Sequence, residues 1–489
     1  MLNTSQRGKA LGGHSIRGVF LSLNLIMSAA AVANGTTVPV PLPNGLDDTA
    51  NIQAALNSCV VHGPGCTVQL QAGKYLASQL VTYNFRGTFK GMGQDKTKIQ
   101  ALPALPVTAP DPVINGECAP NTTDCLWPDL IIFVDGDIKV SDFTVDVPSV
   151  PATQTWFAGG TALTVLNDGI RFMGKNPTNA AVHRVALEGK PYDSVTNCNA
   201  PFGGPDYNFC NAVTFAGEFP RSQTPFDYYF LSGTFSLTNS HVKNVSLGTV
   251  VDGFLQNSRI TIGGSPLNGN VYENVDVGPF LTHANDSMEE VSYNTSNGTG
   301  APLEIVPWVP AFVPTEPSTY LIHDNILMTA GPGASGIWVQ DGPSSTTVNA
   351  FVYDNIIQMQ QGVGFNGIGA FFTAGTFVAN NKIFGSAVAA IGIWDGTRAA
   401  VLVNDVSSFT PNPASGLAQI VLGDLVGLPD TNDCLVVCRS PTDTVLNLGA
   451  GNKLIGCQSG AAAALGLAPD RRATLKPKGL RTMPGPSIR

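Results

Sequence analysis

Between residues 271 and 383 one short phrase recurs four times: Val271-Tyr272-Glu273-Asn274-Val275, Ile322-His323-Asp324-Asn325-Ile326, Val352-Tyr353-Asp354-Asn355-Ile356 and Val378-Ala379-Asn380-Asn381-Lys382-Ile383. An apolar pair brackets a polar step that always contains Asn. The last three Asn positions, 325, 355 and 381, lie 30 and 26 residues apart, the length of a unit wound once around an axis rather than of a helical heptad. Such a period predicts a solenoid. If each unit is one coil of a parallel β-helix, equivalent Asn side chains lie about 4.8 Å apart and their amides bond one another up the stack. Asn274, Asn325, Asn355 and Asn381 are therefore expected to form an internal ladder, with a structural and not a catalytic role.

Composition agrees with this architecture. The 489 residues include 53 Gly and 35 Pro, and charged residues make up only 12%, a balance that favours an all-β, turn-rich protein. A solenoid grows in one direction and escapes the usual size limit of a domain, so residues 34–460 are expected to form one β-helix domain. Residues 1–33 carry Arg7, Lys9 and Arg17 and no acid, then an apolar stretch from Val19 to Met27 and small residues up to Ala33. This is the layout of a secretory signal. The expected location is extracellular, periplasmic or at the cell surface, with no membrane span after signal removal. Without the signal, 23 Lys and Arg face 35 Asp and Glu, a net charge near −12, which argues against a nucleic-acid partner. The exception is residues 461–489, where Arg471, Arg472, Lys476, Lys478, Arg481 and Arg489 sit among Pro and Gly; a solvated, disordered basic tail is expected there. The protein is expected to act as a monomer.

All nine Cys follow the signal: Cys59 and Cys66, Cys118 and Cys125, Cys198 and Cys210, then Cys434, Cys438 and Cys457. Export and close spacing favour local disulfides, with one thiol left free among the last three. No Cys-x-x-Cys occurs and the His residues are not interleaved with Cys, so no zinc site is expected. Asn-x-Ser/Thr sequons stand at Asn34, Asn121, Asn244, Asn285, Asn294 and Asn297; they carry glycans only in a eukaryotic secretory pathway.

Asp47-Asp48-Thr49 forms an N-cap cluster ahead of Ile52, Ala55, Leu56 and Val60 at helical spacing, predicting one short amphipathic helix. Across the first coil, it would cover a solenoid end that otherwise exposes strand edges. The run Asp47-Asp48-Thr49-Ala50-Asn51-Ile52-Gln53-Ala54-Ala55-Leu56, followed by Val68-x-Leu70-x-Ala72-Gly73-x-Tyr75 and Gly91-x-Gly93-x-x-x-Thr97-x-Ile99, resembles the N-terminal entry of secreted proteins with the pectate-lyase-like right-handed parallel β-helix. The resemblance covers about residues 46–100 in sharp motifs and 130–410 in looser repeats. It implies the fold. It does not select an activity, because that superfamily includes lyases, glycoside hydrolases, epimerases, esterases, tailspikes and non-catalytic surface proteins.

Three stretches break the strand rhythm, 101–129, 186–232 and 277–319, and are read as long functional insertions. Several apolar strands end in Asp-Gly, at Asp135, Asp252, Asp341 and Asp395, with Asp168 close to the pattern. Turn geometry accounts for Asp-Gly, since Asp bonds nearby backbone and Gly accepts positive φ. The functional reading is that stacked coils bring such carboxylates to one face, as glycosidic cleavage or calcium-assisted lyase chemistry requires. Asp252, Asp341 and Asp395 are the candidates for acid/base or cation work. Arg259 is the candidate partner of a substrate carboxylate. Trp338 and Arg398 are candidate substrate contacts, Trp338 by stacking on a sugar ring. Trp394 also precedes an Asp-Gly, but its phase differs from that of Trp338 by one residue, so the two need not share a face. Of His241, His283 and His323, the last occupies the Tyr272 and Tyr353 slot of the Asn phrase and is assigned to structure.

The motif sets of polygalacturonases, alginate epimerases and calcium pectate lyases are absent, so no family catalytic residue carries over. No cofactor is called for by the motifs; calcium stays open. The expected partner is an extracellular polysaccharide, bound and cleaved in a groove, by polyuronate lyase or glycoside hydrolase chemistry. The alternative is a non-catalytic surface or adhesion β-helix.

Overall fold

The computed structural model describes residues 35–102, 129–147, 156–158, 161–163, 166–174, 176–192, 206–207, 209–217, 231–251, 255–282, 284–298, 300–306, 316–329, 335–342, 347–412, 418–423 and 431–460. The predicted signal and basic tail, and Cys118, Cys125, Cys198, Asp252 and His283, lie outside them.

Short β-branched and aromatic segments punctuated by Gly, Asn and Asp fold as strands that turn a corner after a few residues. Ser318–His323, Ile326–Thr329 and Ile337–Gln340 complete one coil, and Val348–Tyr353 opens the next. Each strand pairs in parallel with its equivalent one coil on, as in Ile322 with Val352, Ile326 with Ile356 and Val339 with Ala370. The result is a parallel β-helix with three sheets along its length, here called first, second and third in the order a coil visits them. Alternate side chains point inward. Inside, Phe133, Phe172 and Phe215 stack at 5.6 and 5.5 Å, and Ile260, Ile322, Val352 and Ile391 are fully buried. Each such side chain contributes roughly 1.5–3 kcal/mol of hydrophobic stabilisation.

The expected helix spans Thr49–His62 and buries Ile52, Ala55, Leu56 and Cys59, with Val60 partly buried against the same core. It is tied to the first coil by the Cys59–Cys66 disulfide. Asp48 stands at the N-cap without a side-chain capping bond; its carboxylate instead accepts the N–H groups of Asn44 and Leu76, both at 3.2 Å. Near the other end Cys438 pairs with Cys457, and Cys434 is a buried free thiol. Cys210 is also disulfide-bonded.

The Asn ladder stands at the corner between first and second sheets. Its rungs are Asn270, Asn294, Asn325, Asn355, Asn381 and Asn404, each Nδ2 donating to the next Oδ1 at 2.9–3.0 Å. The same Oδ1 accepts the backbone N–H of the preceding rung, as Asn355 does from Asn325 at 3.1 Å. The residue before most rungs turns the corner with positive φ: Tyr293 at 59°, Asp324 at 55°, Asp354 at 56°, Asn380 at 52° and Val403 at 47°. Asp and Asn tolerate that conformation, which explains the Asp-Asn and Asn-Asn steps of the phrase. Asn274 is not a rung. It lies at the next corner, has φ 53° itself and donates to Asn244 at 2.6 Å; the similar letters around it belong to a different turn.

The stretch 277–319 also differs from expectation. It is not one long insertion but contains the regular strands Val277–Thr282, Met288–Ser292, Thr295–Gly298 and Leu303–Val306. Glu289 and Glu290 hid the alternation, because Glu289 occupies an inward position between Ile260 and Tyr320. The expected stretch 186–232 likewise holds the strand Phe209–Phe215.

Candidate functional site

The outer face of the first sheet carries a cluster of ionisable and aromatic side chains. Arg259, Met288 and Thr319 occupy one outward column, Thr261, Glu290, Leu321 and Phe351 the next, and Ser292, His323 and Tyr353 the third. At the corner where the chain enters this sheet, Thr234, Arg259, Asp286, Met288, Pro317 and Thr319 line an open groove of about 570 Å³. Arg259 and Asp286 are exposed there. Glu290 sits one strand on and two residues along from Arg259, a Cα separation of roughly 8 Å from strand rise and spacing.

At the far edge of the same face the rings converge. His323 stacks on Tyr353 with centroids 4.8 Å apart and planes 10° from parallel, and Tyr293 meets His323 edge-on at 5.9 Å. His323 Nδ1 lies 2.9 Å from an Asp324 carboxylate oxygen and Nε2 lies 3.6 Å from Glu290. The imidazole is thus flanked by a carboxylate on each nitrogen. Asp324 foremost, then Glu290 and Asp354, hold the Tyr293 phenol above its ordinary pKa; partial burial does most of the same for Tyr353. Both phenols remain protonated at neutral pH. Tyr293 reaches its place only by adopting positive φ, a conformation unfavourable for a bulky residue and of the kind that collects at functional sites.

Of the catalytic and substrate-binding candidates that fall among the described residues, only Arg259 lies on this face. Asp341 is completely buried, and its carboxylate accepts the N–H groups of Gly342, Thr347 and Val348 and the Thr347 hydroxyl at 2.7–3.2 Å. It clamps a corner, so the turn account of Asp-Gly holds there. Asp395 takes φ 51° at the equivalent corner further on, again a turn position. Arg398 is exposed, three residues beyond Asp395 with φ 54°, well along the solenoid from Arg259.

Trp338 is no sugar platform: it is 4% exposed, stacks on Phe371 at 4.2 Å and donates its indole N–H to Gln340 at 3.1 Å. It shares an outer face with Trp394, a question that their one-residue difference in phase leaves open. Both lie outward on the third sheet, where Phe371 and Phe365 link them through stacked contacts of 4.2 and 5.6 Å. A Cβ at Gly392 or Gly423 would collide with the Trp394 ring, so glycine lets the indole lie flat on the sheet.

Asp168 enters a buried ionic knot on the third sheet. Arg171 Nε lies 2.6 Å from Asp168 and 2.8 Å from Asp129, and Asn211 and Thr214 donate to the other Asp168 oxygen at 2.7 and 3.0 Å. The Asp168 side chain is fully buried and its acceptor positions are occupied, which marks structural pairing. Among the described residues no group of three or more His, Cys, Asp or Glu is arranged to hold a metal ion, and no helix is long and apolar enough to cross a membrane.

No family model and no curated protein matches the sequence. Solved structures do. The A-module of mannuronan C-5 epimerase AlgE6 from Azotobacter vinelandii superposes with a TM-score of 0.51 at 13% identity, over 85% of this chain and 95% of that one. This chain has the pectate-lyase-like right-handed parallel β-helix fold. Weaker similarity links this β-helix to the periplasmic alginate epimerase AlgG, with TM-score 0.45, 10% identity and 81% and 77% of the two chains covered. A tailspike protein of an Escherichia coli O157:H7 bacteriophage matches with TM-score 0.40 and 12% identity, over 83% and 42%. At these identities the similarity concerns the fold.

Proposed function

We propose that this β-helix is exported and binds an extracellular polysaccharide across the outer face of its first sheet, with His323 and Glu290 placed for proton transfer. The observation that carries the proposal is the meeting, on one open face, of the His323, Tyr353 and Tyr293 rings with Glu290 and the Arg259 groove. Aromatic faces bind the apolar C–H face of a sugar ring, while polar tips and carboxylates take its hydroxyls. An imidazole between two carboxylates suits transfer of a proton to or from a glycan. The fold match to a mannuronan epimerase makes polysaccharides the first class to test.

The test is a glycan screen of the purified protein, measuring binding, new reducing ends and the absorbance of unsaturated products. Tyr353→Ala is expected to weaken binding about tenfold, equivalent to the roughly 1.4 kcal/mol of one stacking contact. His323→Ala is expected to abolish product while leaving most binding intact. Absence of both binding and product on every glycan overturns the proposal. A non-catalytic scaffold is the second reading, favoured by Asp341 and Asp395 serving as corner residues away from this face; glycan binding without product would select it.

A further inference from the structure

We infer that the polysaccharide taken by this face is uncharged and is not a polyuronate, an inference that rests on the reading of the first-sheet face given above. The donor and acceptor inventory of the face points this way. Asp286, Glu290, Asp324 and Asp354 all present carboxylates along it, three of them exposed, and an ionised carboxylate only accepts hydrogen bonds. Sugar hydroxyls donate, so a neutral chain matches them. A polyuronate brings a carboxylate on every sugar, needs donors and cations, and meets like charge instead.

The cations available on the face are few. Arg259 makes no ion pair among the described residues, and His323 already has a carboxylate beside each ring nitrogen. The next arginine toward the start of the sheet, Arg184, is held 2.7 Å from Asp142. Thr234, Ser236 and Thr238, in the strand ahead of Arg259, are neutral, as are Asn349, Phe351 and Tyr353 beyond His323. Within the coils from Arg259 to Tyr353, one guanidinium without an ion pair among the described residues therefore stands against four carboxylates; the exposed Lys139 and Arg86 of the same outward face lie three and four strands nearer its start, and the stacked rings favour the uncharged C–H faces of sugars.

The experiment measures binding of the full chain to three sets of glycans by affinity electrophoresis and calorimetry: neutral glucans, xylans and mannans; polygalacturonate and alginate; and chitosan as a polycation. Each is run at low and at 0.5 M salt, with calcium and with chelator. At least one neutral glycan is expected to bind tenfold or more tightly than either polyuronate, with little response to salt or calcium. In Glu290→Gln/Asp324→Asn, neutral-glycan binding is expected to fall several-fold while polyuronate binding rises. The exposed change Asp354→Asn, made separately, keeps the comparison valid if the double variant does not fold. Binding led by a polyuronate, with or without calcium, or by chitosan, and weakened by Tyr353→Ala, upholds the functional reading and overturns this inference. Binding to no glycan overturns both.

Discussion

Glu289 is an acid in the wrong solvent. Its side chain points into the β-helix, 1% exposed, and neither carboxylate oxygen has a hydrogen-bond partner among the described residues. Burial therefore drives its pKa well above the ordinary carboxylate value, so the folded state holds it protonated. Its folded pKa exceeds its unfolded one. The linked stability is then fully present below the unfolded value near 4.5 and is lost as pH rises toward and through the folded pKa. Urea unfolding midpoints are expected to fall between pH 5 and pH 8. Glu289→Leu, which keeps the volume and removes an unpaired polar group costing about 1–3 kcal/mol, is expected to flatten that dependence and raise stability at pH 8. An unchanged pH profile in the variant would mean that Glu289 is ionised and solvated in the folded state. The same residue shows why the sequence misled: Met288-Glu289-Glu290-Val291 reads as an acidic loop, yet its pairing makes it a strand with one acid inward and one on the candidate face.

The ladder is where sequence was most informative, and also where letter matching went too far. Asn325, Asn355 and Asn381 were legible because a 26- to 30-residue period and an αL-tolerant residue before each Asn coincide. Asn270, Asn294 and Asn404 were not, because Gly269, Tyr293 and Val403 precede them and blur the phrase. What their contexts share is an Asn directly before the second-sheet strand. His323 was set aside as structural because it shared a slot with Tyr272 and Tyr353. That slot merges two environments: Tyr272 is buried and bonds Thr249 at 2.8 Å, whereas Tyr353 and His323 stack on the outer face. Candidate acids were drawn from Asp-Gly corners, since sequence cannot say which corner faces open solvent. Energetically the rungs are unequal to look-alike Asn residues. Asn355 Nδ2 reaches Ile322, Tyr353 and Asn381 oxygens, all at 2.9 Å. Asn355→Ala is expected to cost about 3 kcal/mol or more, from several buried groups losing partners, against roughly 1–2 kcal/mol for Asn274→Ala, chiefly from placing Ala at positive φ; chemical denaturation of the pair measures the difference. A sequon also falls on a rung, at Asn294. A glycan there would displace bonds to Ile262, Ser292 and Asn325 oxygens. Protein secreted from yeast with Asn294 occupied is expected to lack the cooperative melting of unglycosylated protein, as peptide mass spectrometry and circular dichroism would establish.

A solenoid has no closed core, so its integrity as a molecule depends on how its ends are finished. At the start each sheet is closed by a different device. Thr37–Pro39 adds a strand beside Cys66–Gln69. Asp48 exchanges bonds with Leu76, giving its N–H to the Leu76 carbonyl at 2.7 Å and accepting the Leu76 N–H at 3.2 Å. Gln53, on the helix, copies a neighbouring strand: its amide donates to the Val81 carbonyl at 2.7 Å and accepts the Val81 N–H at 3.0 Å. One side chain thus satisfies both polar groups of an edge residue. Since coupling along a solenoid runs chiefly between neighbours, Gln53→Ala is expected to cost roughly 2 kcal/mol and to act locally. Hydrogen exchange should then lose protection across residues 66–101 while the ladder from Asn325 to Asn404 keeps it; loss over the whole chain would show instead that the β-helix folds as one cooperative unit. Deleting residues 35–62 removes all three devices at once. That chain is expected to self-associate through its bared first coil, visible as oligomers in sedimentation velocity, whereas Gln53→Ala keeps the hydrodynamic size of the intact protein.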